Sequence, residues 1–464
     1  MHKVFIGDRV YKAQDGERLS RVIMRGGLDV AHPCGGRGFC KKCRVKVNGK
    51  EALSCEYTIH SDITVELYDT SSVVSESGAV ESGVVTQNLA FALDIGTTTL
   101  ALALVSLDEQ KIIKVITASN PQRVFGADVM SRISYCQKNG TNELHDKIIS
   151  AINEMIASFE AERVSMLFVS GNVTMLHLFF GIDCTSIGVA PYTPAFLESK
   201  EADAAELGLF GVEKVISLPS ISSFVGADIV AGLDYIGMPP KGKYNLLVDL
   251  GTNAEIVLYS NESGVATAAA AGPCFEGAGI SCGMSATKGA IYSFKLNGSQ
   301  IAYDTIGCAS PVGICGTGLI DVITELIRAS IIDETGYMEE DYRICGDVFL
   351  SCADVRQYQL AKSAVCSAIL TLMKREGVGF DAISAMYISG GFSAKINTEN
   401  AGESGLLPKE LAKKAVAINN SSLLGTVKFA CERSDLSRFT DKIEYVDLSQ
   451  DSHFSDLFVE NMLF

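Results

Sequence analysis

The chain has 464 residues, of which 47% are hydrophobic and 20% are charged. Acidic residues outnumber basic ones by 55 to 39, which gives a formal net charge of -16. This balance excludes nucleic acid as the main partner, since a phosphate backbone attracts a basic surface. The sequence contains no apolar run of the roughly 18 to 20 residues that span a bilayer, and its first residues lack the apolar core of a signal peptide. We therefore expect a cytoplasmic protein without a membrane partner.

Residues 1–70 predict a small α+β domain. MHKVFI and RVYKA are typical of two paired strands, and RLSRVIMRGG predicts a helix that ends at Gly26 and Gly27. RVKVNGKEAL contains Asn48-Gly49, which is a hairpin signal, and DITVEL predicts a closing strand. This order of elements is compatible with a β-grasp ferredoxin-like fold.

A glycine-rich loop within this domain, PCGGRGFCKKC, carries three of the chain's 14 cysteines. Cys34, Cys40 and Cys43 have the spacing C-x5-C-x2-C, and Cys55 follows twelve positions later. In a chain that is not exported, such thiols are typical of metal ligands rather than disulfides. The glycines allow backbone N–H groups to point at cluster sulfurs, which favours a [2Fe–2S] cluster. Zinc and a purely structural thiol cluster remain the alternatives.

The rest of the chain predicts a linker and two related halves. Residues 71–89 carry Ser, Gly and Glu without periodicity and predict a flexible linker. Residues 90–240 and 241–464 each begin with a buried strand that ends in Asp-x-Gly-Thr and is followed by two more strands. A repeated pattern of this kind predicts two α/β halves of common architecture that face each other across a cleft.

The two Asp-x-Gly-Thr segments, DIGTTT and DLGTNAE, have the composition of phosphate-binding loops. Glycine lets backbone amides approach phosphate oxygens, threonine hydroxyls add donors, and an aspartate at the strand end can hold Mg²⁺ through water. A single segment of this kind could be an ordinary strand-end turn, but two in register favour nucleotide binding. Gly390 and Gly391 follow another buried strand and predict a backbone contact to adenosine.

Together these motifs resemble the superfamily of acetate and sugar kinases, heat-shock ATPases and actin. With the cysteine-bearing domain in front, the chain is similar to reductive activators of corrinoid proteins. The matching segments run in order along nearly the whole chain; they are PCGGRGFCKKC, DIGTTT, NPQRVFGADVMSRI, GNVTMLH, DLGTNAEI, GPCFEGAGISCGM, GICGTGLID and ISGGF. The resemblance implies a ferredoxin-like domain followed by a duplicated ribonuclease-H-like, actin/acetate-kinase-type ATPase domain.

The resemblance also implies an activity and its partners. Such a protein uses ATP to return a Co(II) corrinoid cofactor, held on a partner protein, to Co(I) in a one-electron reduction. A low-potential electron donor would reduce its cluster, and the kinase-like relatives suggest a homodimer.

By the same resemblance, functional roles fall on specific residues. The cluster ligands are Cys34, Cys40, Cys43 and Cys55. The residues around the nucleotide and its Mg²⁺ are Asp94, Gly96, Thr97, Thr98, Asp249, Gly251, Thr252, Asn253, Gly316, Gly390 and Gly391. Glu255 is the candidate for positioning or activating the attacking water, with a structural hydrogen bond as its alternative role.

The sequence departs from the family pattern and leaves other functions open. Longer members carry an extra domain where this chain has only the linker, and Ala254 and Cys274 replace the usual Gly and Ala. One alternative function is a metabolite kinase with a redox-sensing ferredoxin domain. Others are an electron-transfer module with a degenerate ATPase, and an activator of a radical dehydratase that would use cysteines in the ATPase half. We expect His177 to be a core histidine.

Overall fold

The computed structural model describes residues 1–7, 9–26, 28, 43–67, 88–126, 128–159, 164–391 and 395–464. The predicted linker lies outside the described residues except for Asn88 and Leu89, and so does the cysteine loop up to Cys43. By its internal contacts the chain divides into two units, Met1–Phe196 with Lys200–Ser217 and Leu197–Ser199 with Leu218–Phe464. In the described residues, no helix has the length and apolar character needed to cross a membrane. The domain limits expected from the sequence stay predictions.

The front module, described over residues 1–7, 9–26, 28 and 43–67, contains a mixed sheet against which one helix of the described residues packs. Its strand order is β2-β1-β7-β4-β5, and β1 pairs antiparallel with β2 but parallel with β7. Helix α1 places Leu19, Val22 and Ile23 in the module's core. The elements are β1 (His2–Ile6), β2 (Arg9–Ala13), β3 (Glu17–Arg18), α1 (Leu19–Arg25), β4 (Arg44–Val47), β5 (Lys50–Leu53), β6 (Thr58–Ile59) and β7 (Ile63–Leu67). This small α+β module agrees with the sequence prediction.

The first of the two α/β halves is built on a six-stranded sheet of order β10-β9-β8-β11-β13-β12. Strands β8, β9 and β10 are antiparallel, whereas β11 runs parallel to β8. The strands are β8 (Leu89–Ile95), β9 (Thr99–Ser106), β10 (Lys111–Ser119), β11 (Val164–Gly171), β12 (Glu201–Asp203) and β13 (Val212–Ser217). The helices are α2 (Val129–Asn139), α3 (Asn142–Ala157) and α4 (Val173–Phe179).

The second half repeats this topology. Its sheet has the order β23-β22-β14-β15-β16-β24, with β14, β15 and β16 antiparallel and β22 parallel to β14. The strands are β14 (Tyr244–Leu250), β15 (Ala254–Tyr259), β16 (Gly264–Ala269), β22 (Ile383–Ser389), β23 (Ala415–Ala417) and β24 (Ile443–Tyr445). Strands β14, β15, β16 and β22 therefore correspond to β8, β9, β10 and β11, which confirms the predicted duplicated α/β fold.

Helices and short hairpins complete the second half. Helix α7 begins at Cys352, because Ser351 and Asp354 form a capping box at its N-terminus. The helices are α5 (Ala227–Ile236), α6 (Gly316–Arg328), α7 (Cys352–Arg375), α8 (Thr398–Glu403), α9 (Lys409–Ala412), α10 (Ser421–Glu432), α11 (Ser437–Thr440) and α12 (Ser452–Glu460). The remaining strands are β17 (Ala290–Asn297), β18 (Gln300–Thr305), β19 (Gly313–Ile314), β20 (Tyr342–Cys345) and β21 (Val348–Leu350).

Candidate nucleotide and cluster sites

The first predicted phosphate loop is the tight turn between β8 and β9. The Gly96 amide donates to the Thr99 carbonyl at 3.0 Å. A Cβ atom on Gly96 would lie 2.7 Å from that carbonyl oxygen, so the turn requires glycine here. Asp94 stands on β8 opposite Ala101 of β9, at the end of the strand that leads into the loop.

Three polar side chains from elsewhere in the first half hold this loop. The Asn120 amide donates to the Gly96 carbonyl at 2.8 Å, and the Asn172 amide donates to the Thr97 hydroxyl at 3.1 Å. The Arg132 guanidinium donates to the Thr97 carbonyl. These residues belong to NPQRVFGADVMSRI and GNVTMLH, two motifs that the sequence matched without assigning a role. Their function in the fold is to fix the shape of the loop.

Arg132 is a fully buried cation. Its guanidinium also donates to the Gly126 carbonyl at 3.0 Å and to the Gln122 side chain at 3.3 Å. Burial lowers the pKa of Arg132 to about 9, although the nearby Asp128 charge opposes the shift. The remaining partner is the Met175 sulfur at 3.0 Å. Because none of these partners is a carboxylate, Arg132 forms no ion pair within the described residues, and its positive charge lies directly against the loop.

The second predicted phosphate loop is the equivalent turn between β14 and β15. The Gly251 amide donates to the Asn253 carbonyl at 3.0 Å, and Asp249 pairs with Glu255 across the hairpin. The Ser389 hydroxyl at the end of β22 donates to the Asp249 carboxylate. Desolvation raises the pKa of Asp249, and the Ser389 hydrogen bond opposes that shift. Ser389 therefore orients this carboxylate, a role that the sequence did not indicate.

Glu255 is the most strongly perturbed acid of the second loop. Its side chain keeps part of its surface open, but protein atoms crowd it on the remaining sides. Desolvation raises the pKa of Glu255 well above its usual value, and the charges of Asp249, Asp228 and Glu276 add to the effect. A carboxyl group with a raised pKa is a stronger base and is suited to accept a proton from water. The surroundings thus suit the predicted role, which stays a prediction.

A further carboxylate, which the sequence reading overlooked, contacts the same loop. The Thr252 hydroxyl donates to Glu276 Oε2 at 2.7 Å. Glu276 ends a short 3₁₀ turn, Pro273–Glu276, inside the GPCFEGAGISCGM motif. The sequence feature that could have indicated this contact is the presence of an acidic residue in the middle of a glycine-rich motif.

The predicted glycines of the second half have different constraints. Gly390 follows β22 with φ of 109°, and a Cβ there would lie 2.1 Å from the Leu250 carbonyl oxygen. It therefore lets the end of β22 approach the second loop. For Gly391, no atom of the described residues lies within 4 Å of the Cβ position. A Cβ on Gly316, at the start of α6, would lie 2.2 Å from the Phe275 carbonyl oxygen, so close packing requires this glycine.

Two of the four predicted cluster ligands are described, and they lie together in the front module. The Sγ atoms of Cys43 and Cys55 are 3.1 Å apart, and each residue is 1% exposed. The Ser54 amide donates to the Cys43 carbonyl at 2.9 Å, which holds the two segments together. Thiolates on one tetrahedral metal with bonds of about 2.3 Å lie about 3.8 Å apart. The two sulfurs are closer than that here and would have to move slightly apart to share one iron. Cys34 and Cys40 lie outside the described residues.

The cysteines of the second half have separate surroundings. Cys315 contacts the Ile291 carbonyl at 3.3 Å, whereas Cys282 accepts from the Phe349 amide at 3.5 Å. Cys274 is buried and Cys308 is exposed. Across the described part of the chain, no three or more His, Cys, Asp or Glu side chains converge as metal ligands.

Two family models match adjoining parts of the chain. The one described as "RACo middle region" matches residues 89–241, and the one described as "C-terminal domain of RACo the ASKHA domain" matches residues 243–464. The chain belongs to the RACo family. The ASKHA description agrees with the duplicated actin-like fold expected from the sequence.

Individual relatives agree with the RACo assignment. "Corrinoid activation enzyme RamQ" of Eubacterium limosum is 29% identical, over 80% of this chain and 70% of the relative. "[Co(II) methylated amine-specific corrinoid protein] reductase" of Methanosarcina barkeri is 29% identical, over 74% of this chain and 70% of the relative. The solved structure "Reductive activator for corrinoid,iron-sulfur protein" superposes with a TM-score of 0.74 at 26% identity, over 100% of this chain and 98% of the other.

Proposed function

We propose that this RACo-family protein uses ATP to drive a one-electron reduction of a corrinoid protein, from Co(II) to Co(I), through an N-terminal [2Fe–2S] cluster. The observation that carries the proposal is the pairing of Cys43 and Cys55 in a chain that also folds two phosphate-type loops. A cysteine pair of this kind does not by itself imply nucleotide binding, and loops of this kind do not by themselves imply a cluster. The relatives whose printed names refer to corrinoid activation and corrinoid protein reduction support the combination.

In this proposal the two loops bind Mg²⁺ and the phosphates of ATP. Asp94 and Asp249 would hold Mg²⁺, because carboxylate oxygens at strand ends are ligands that this ion prefers. Backbone amides and hydroxyls of the two loops would contact the phosphates, with Gly390 and Gly391 on the adenosine side. Glu255 would orient the attacking water and accept its proton.

Cys34, Cys40, Cys43 and Cys55 would hold the cluster, which supplies the electron when it is bound. The protein around Cys43 and Cys55 excludes water from these ligands, since both side chains are buried in the module's core. An electron transfer that is uphill by about 100 mV costs about 2.4 kcal/mol. A difference in partner affinity between two nucleotide states can provide coupling of about 1–3 kcal/mol, which is why ATP and a cluster belong on one chain.

The proposed partners are a corrinoid protein and a low-potential electron donor that reduces the cluster again. We place the reaction in the cytoplasm, where both partners would be found. The homodimer implied by the resemblance is open to direct measurement by light scattering on the reconstituted protein.

An anaerobic assay tests the proposal. Reduced, reconstituted protein is mixed with MgATP and a Co(II) corrinoid protein, and the visible spectrum is followed for Co(I). We expect reduction to depend on ATP, to fail in Cys55→Ala because the cluster is lost, and to fail in Asp249→Ala although the cluster remains. Cobalt reduction at the same rate without ATP would overturn the proposal. A phosphorylated small molecule without cobalt reduction would favour the metabolite kinase instead.

A further inference from the structure

The hydroxyl of Thr252 has only one proton, and Glu276 already accepts it. The two side chains meet at 2.7 Å, with Thr252 Oγ1 as donor and Glu276 Oε2 as acceptor. A threonine hydroxyl that donates to a carboxylate offers only lone pairs to any other group, and an anionic phosphate requires a donor. Thr252 therefore cannot serve Glu276 and a nucleotide phosphate at the same time.

Glu276 is accessible to an incoming ligand, yet the turn that carries it is tightly packed. Its side chain is exposed, whereas Cys274 and Phe275 in the same turn are buried. A Cβ on Gly277 would lie 2.4 Å from the Met284 amide nitrogen. Further along the same glycine-rich motif, the Ser281 amide donates to Asp354 at 2.8 Å, in the capping box of helix α7. A displacement of Glu276 would therefore be transmitted through these contacts to the N-terminus of α7, a 24-residue helix.

The other end of the same turn reaches the protein surface. An open pocket of about 260 Å³ lies beside it. The pocket is lined by Gly272, Pro273, Cys274, Gln357, Leu360 and Phe458. The Pro273–Glu276 turn therefore has one end at the phosphate loop and one end at a surface shared with helix α7.

We propose that Glu276 is a positioning residue that competes with a nucleotide phosphate for the Thr252 hydroxyl. Without nucleotide, Glu276 holds Thr252 and anchors the Pro273–Glu276 turn. When ATP binds, Thr252 donates to a phosphate oxygen instead, the negative phosphate repels the Glu276 carboxylate, and the turn is released. The inference rests on the proposed ATP binding and adds the element that passes the nucleotide state to the surface.

A double-mutant cycle tests the competition. The dissociation constant of the non-hydrolysable analogue β,γ-imido-ATP with Mg²⁺ is measured for the reconstituted full chain, Glu276→Gln, Thr252→Val and the double variant. We expect Glu276→Gln to tighten binding, because a neutral amide is a weaker acceptor and does not repel phosphate. This gain in analogue affinity should be larger by a factor of about three or more when the Thr252 hydroxyl is present than in the Thr252→Val background. Glu262→Gln, at an exposed carboxylate in the turn between β15 and β16, is the charge-matched control.

Hydrogen exchange provides a readout that a merely structural role would not change. The analogue should increase amide exchange across 273–284 in the unmodified protein and in Thr252→Ser, which keeps the hydroxyl. Glu276→Gln should exchange faster there even without nucleotide. The inference alone would be overturned if Glu276→Gln increased the analogue affinity equally with Thr252 present and in the Thr252→Val background. It would also be overturned if the analogue did not change amide exchange in this segment. If the analogue does not bind to the unmodified protein, both this inference and the proposed function are overturned. If the double-mutant cycle shows coupling between Glu276 and Thr252 but the protein does not reduce cobalt, only the proposed function is overturned.

Discussion

The guanidinium of Arg132 donates a hydrogen bond to the backbone carbonyl of Thr97, which places a buried cation against the first predicted phosphate loop. Its other oxygen partners are the Gly126 carbonyl and the Gln122 amide oxygen. A buried charge without an ion-pair partner is costly, and an anion bound nearby offsets part of that cost. Binding of the ATP phosphates at this loop would provide such an anion.

Replacing Arg132 by methionine should weaken nucleotide binding. The charge is lost and the Thr97 carbonyl loses its donor, so we expect the dissociation constant of an ATP analogue to rise about tenfold or more, equivalent to about 1.4 kcal/mol. Calorimetric titration measures the constant, and thermal unfolding establishes that the variant is folded. Arg343→Met, at an exposed arginine of β20, is the matched control. Unchanged analogue affinity in a folded Arg132→Met protein would show that the buried charge does not contribute to nucleotide binding.

Glu255→Gln should separate ATP binding from ATP hydrolysis. The amide keeps the shape of the side chain but cannot accept a proton, so we expect hydrolysis to slow about 100-fold or more with little change in analogue affinity. In the unmodified protein the raised pKa of Glu255 means that hydrolysis should fall as the pH is lowered through that pKa, since the base becomes protonated. Phosphate release assayed against pH measures both effects. Glu339→Gln, at an exposed site, should behave like the unmodified protein. Hydrolysis at the normal rate in Glu255→Gln would assign Glu255 a structural role.

Serine at Cys43 or Cys55 should abolish cluster assembly without affecting nucleotide binding. The two thiols are buried together, so loss of either removes a ligand that no neighbouring water replaces easily. Iron and sulfide content and the visible spectrum after anaerobic reconstitution measure the outcome. Cys184→Ser, at a buried thiol of the first half, is the control and should retain the full iron content. A colourless unmodified protein would contradict the assignment of the cluster.

His177 should make the stability of the protein fall below about pH 6.5, the usual pKa of histidine. Its Nδ1 contacts the Val173 carbonyl at 2.7 Å and its Nε2 lies 3.0 Å from the Ala195 amide, so the neutral ring is satisfied at both nitrogens. Burial lowers the pKa of His177, while the Val173 carbonyl and the Asp183 charge oppose the shift. The unfolded chain therefore takes up a proton first as the pH falls, and the free energy of unfolding decreases.

Denaturant unfolding between pH 5 and 7.5 measures this dependence. The decline with acid should be shallower in His177→Asn, which cannot be protonated in this range, than in the unmodified protein. The variant should also be less stable at pH 7.5 by roughly 1–3 kcal/mol, because the Ala195 amide loses its acceptor. Parallel pH profiles for the two proteins would contradict the prediction.

Sequence reasoning was most successful where the signal is local. Strand periodicity followed by Asp-x-Gly located both loops, and the same pattern in two places predicted the duplicated sheets. Helix limits were less accurate. The helical spacing of Leu144, Ile148, Ile152, Met155 and Phe159 predicts a helix over about 143–161, but α3 ends at Ala157, next to Ser158, whose hydroxyl bonds to the Met155 carbonyl. The sequence also predicts a helix over about 355–376. The observed helix α7 begins three residues earlier, at Cys352, because Ser351 and Asp354 form a capping box that the pattern of apolar residues does not reveal.

The fold class, the family resemblance and the residue types at the ends of β8 and β14 could be predicted from the sequence, because these depend on neighbours along the chain. The side chains that hold the loops could be identified only from the folded structure. Arg132 lies 35 residues from Thr97, and Ser389 lies 140 residues from Asp249. Their contacts arise from the pairing of parallel strands and from helices packed beside them, and hydrogen bonds between residues so distant in the chain leave no periodic trace in one sequence.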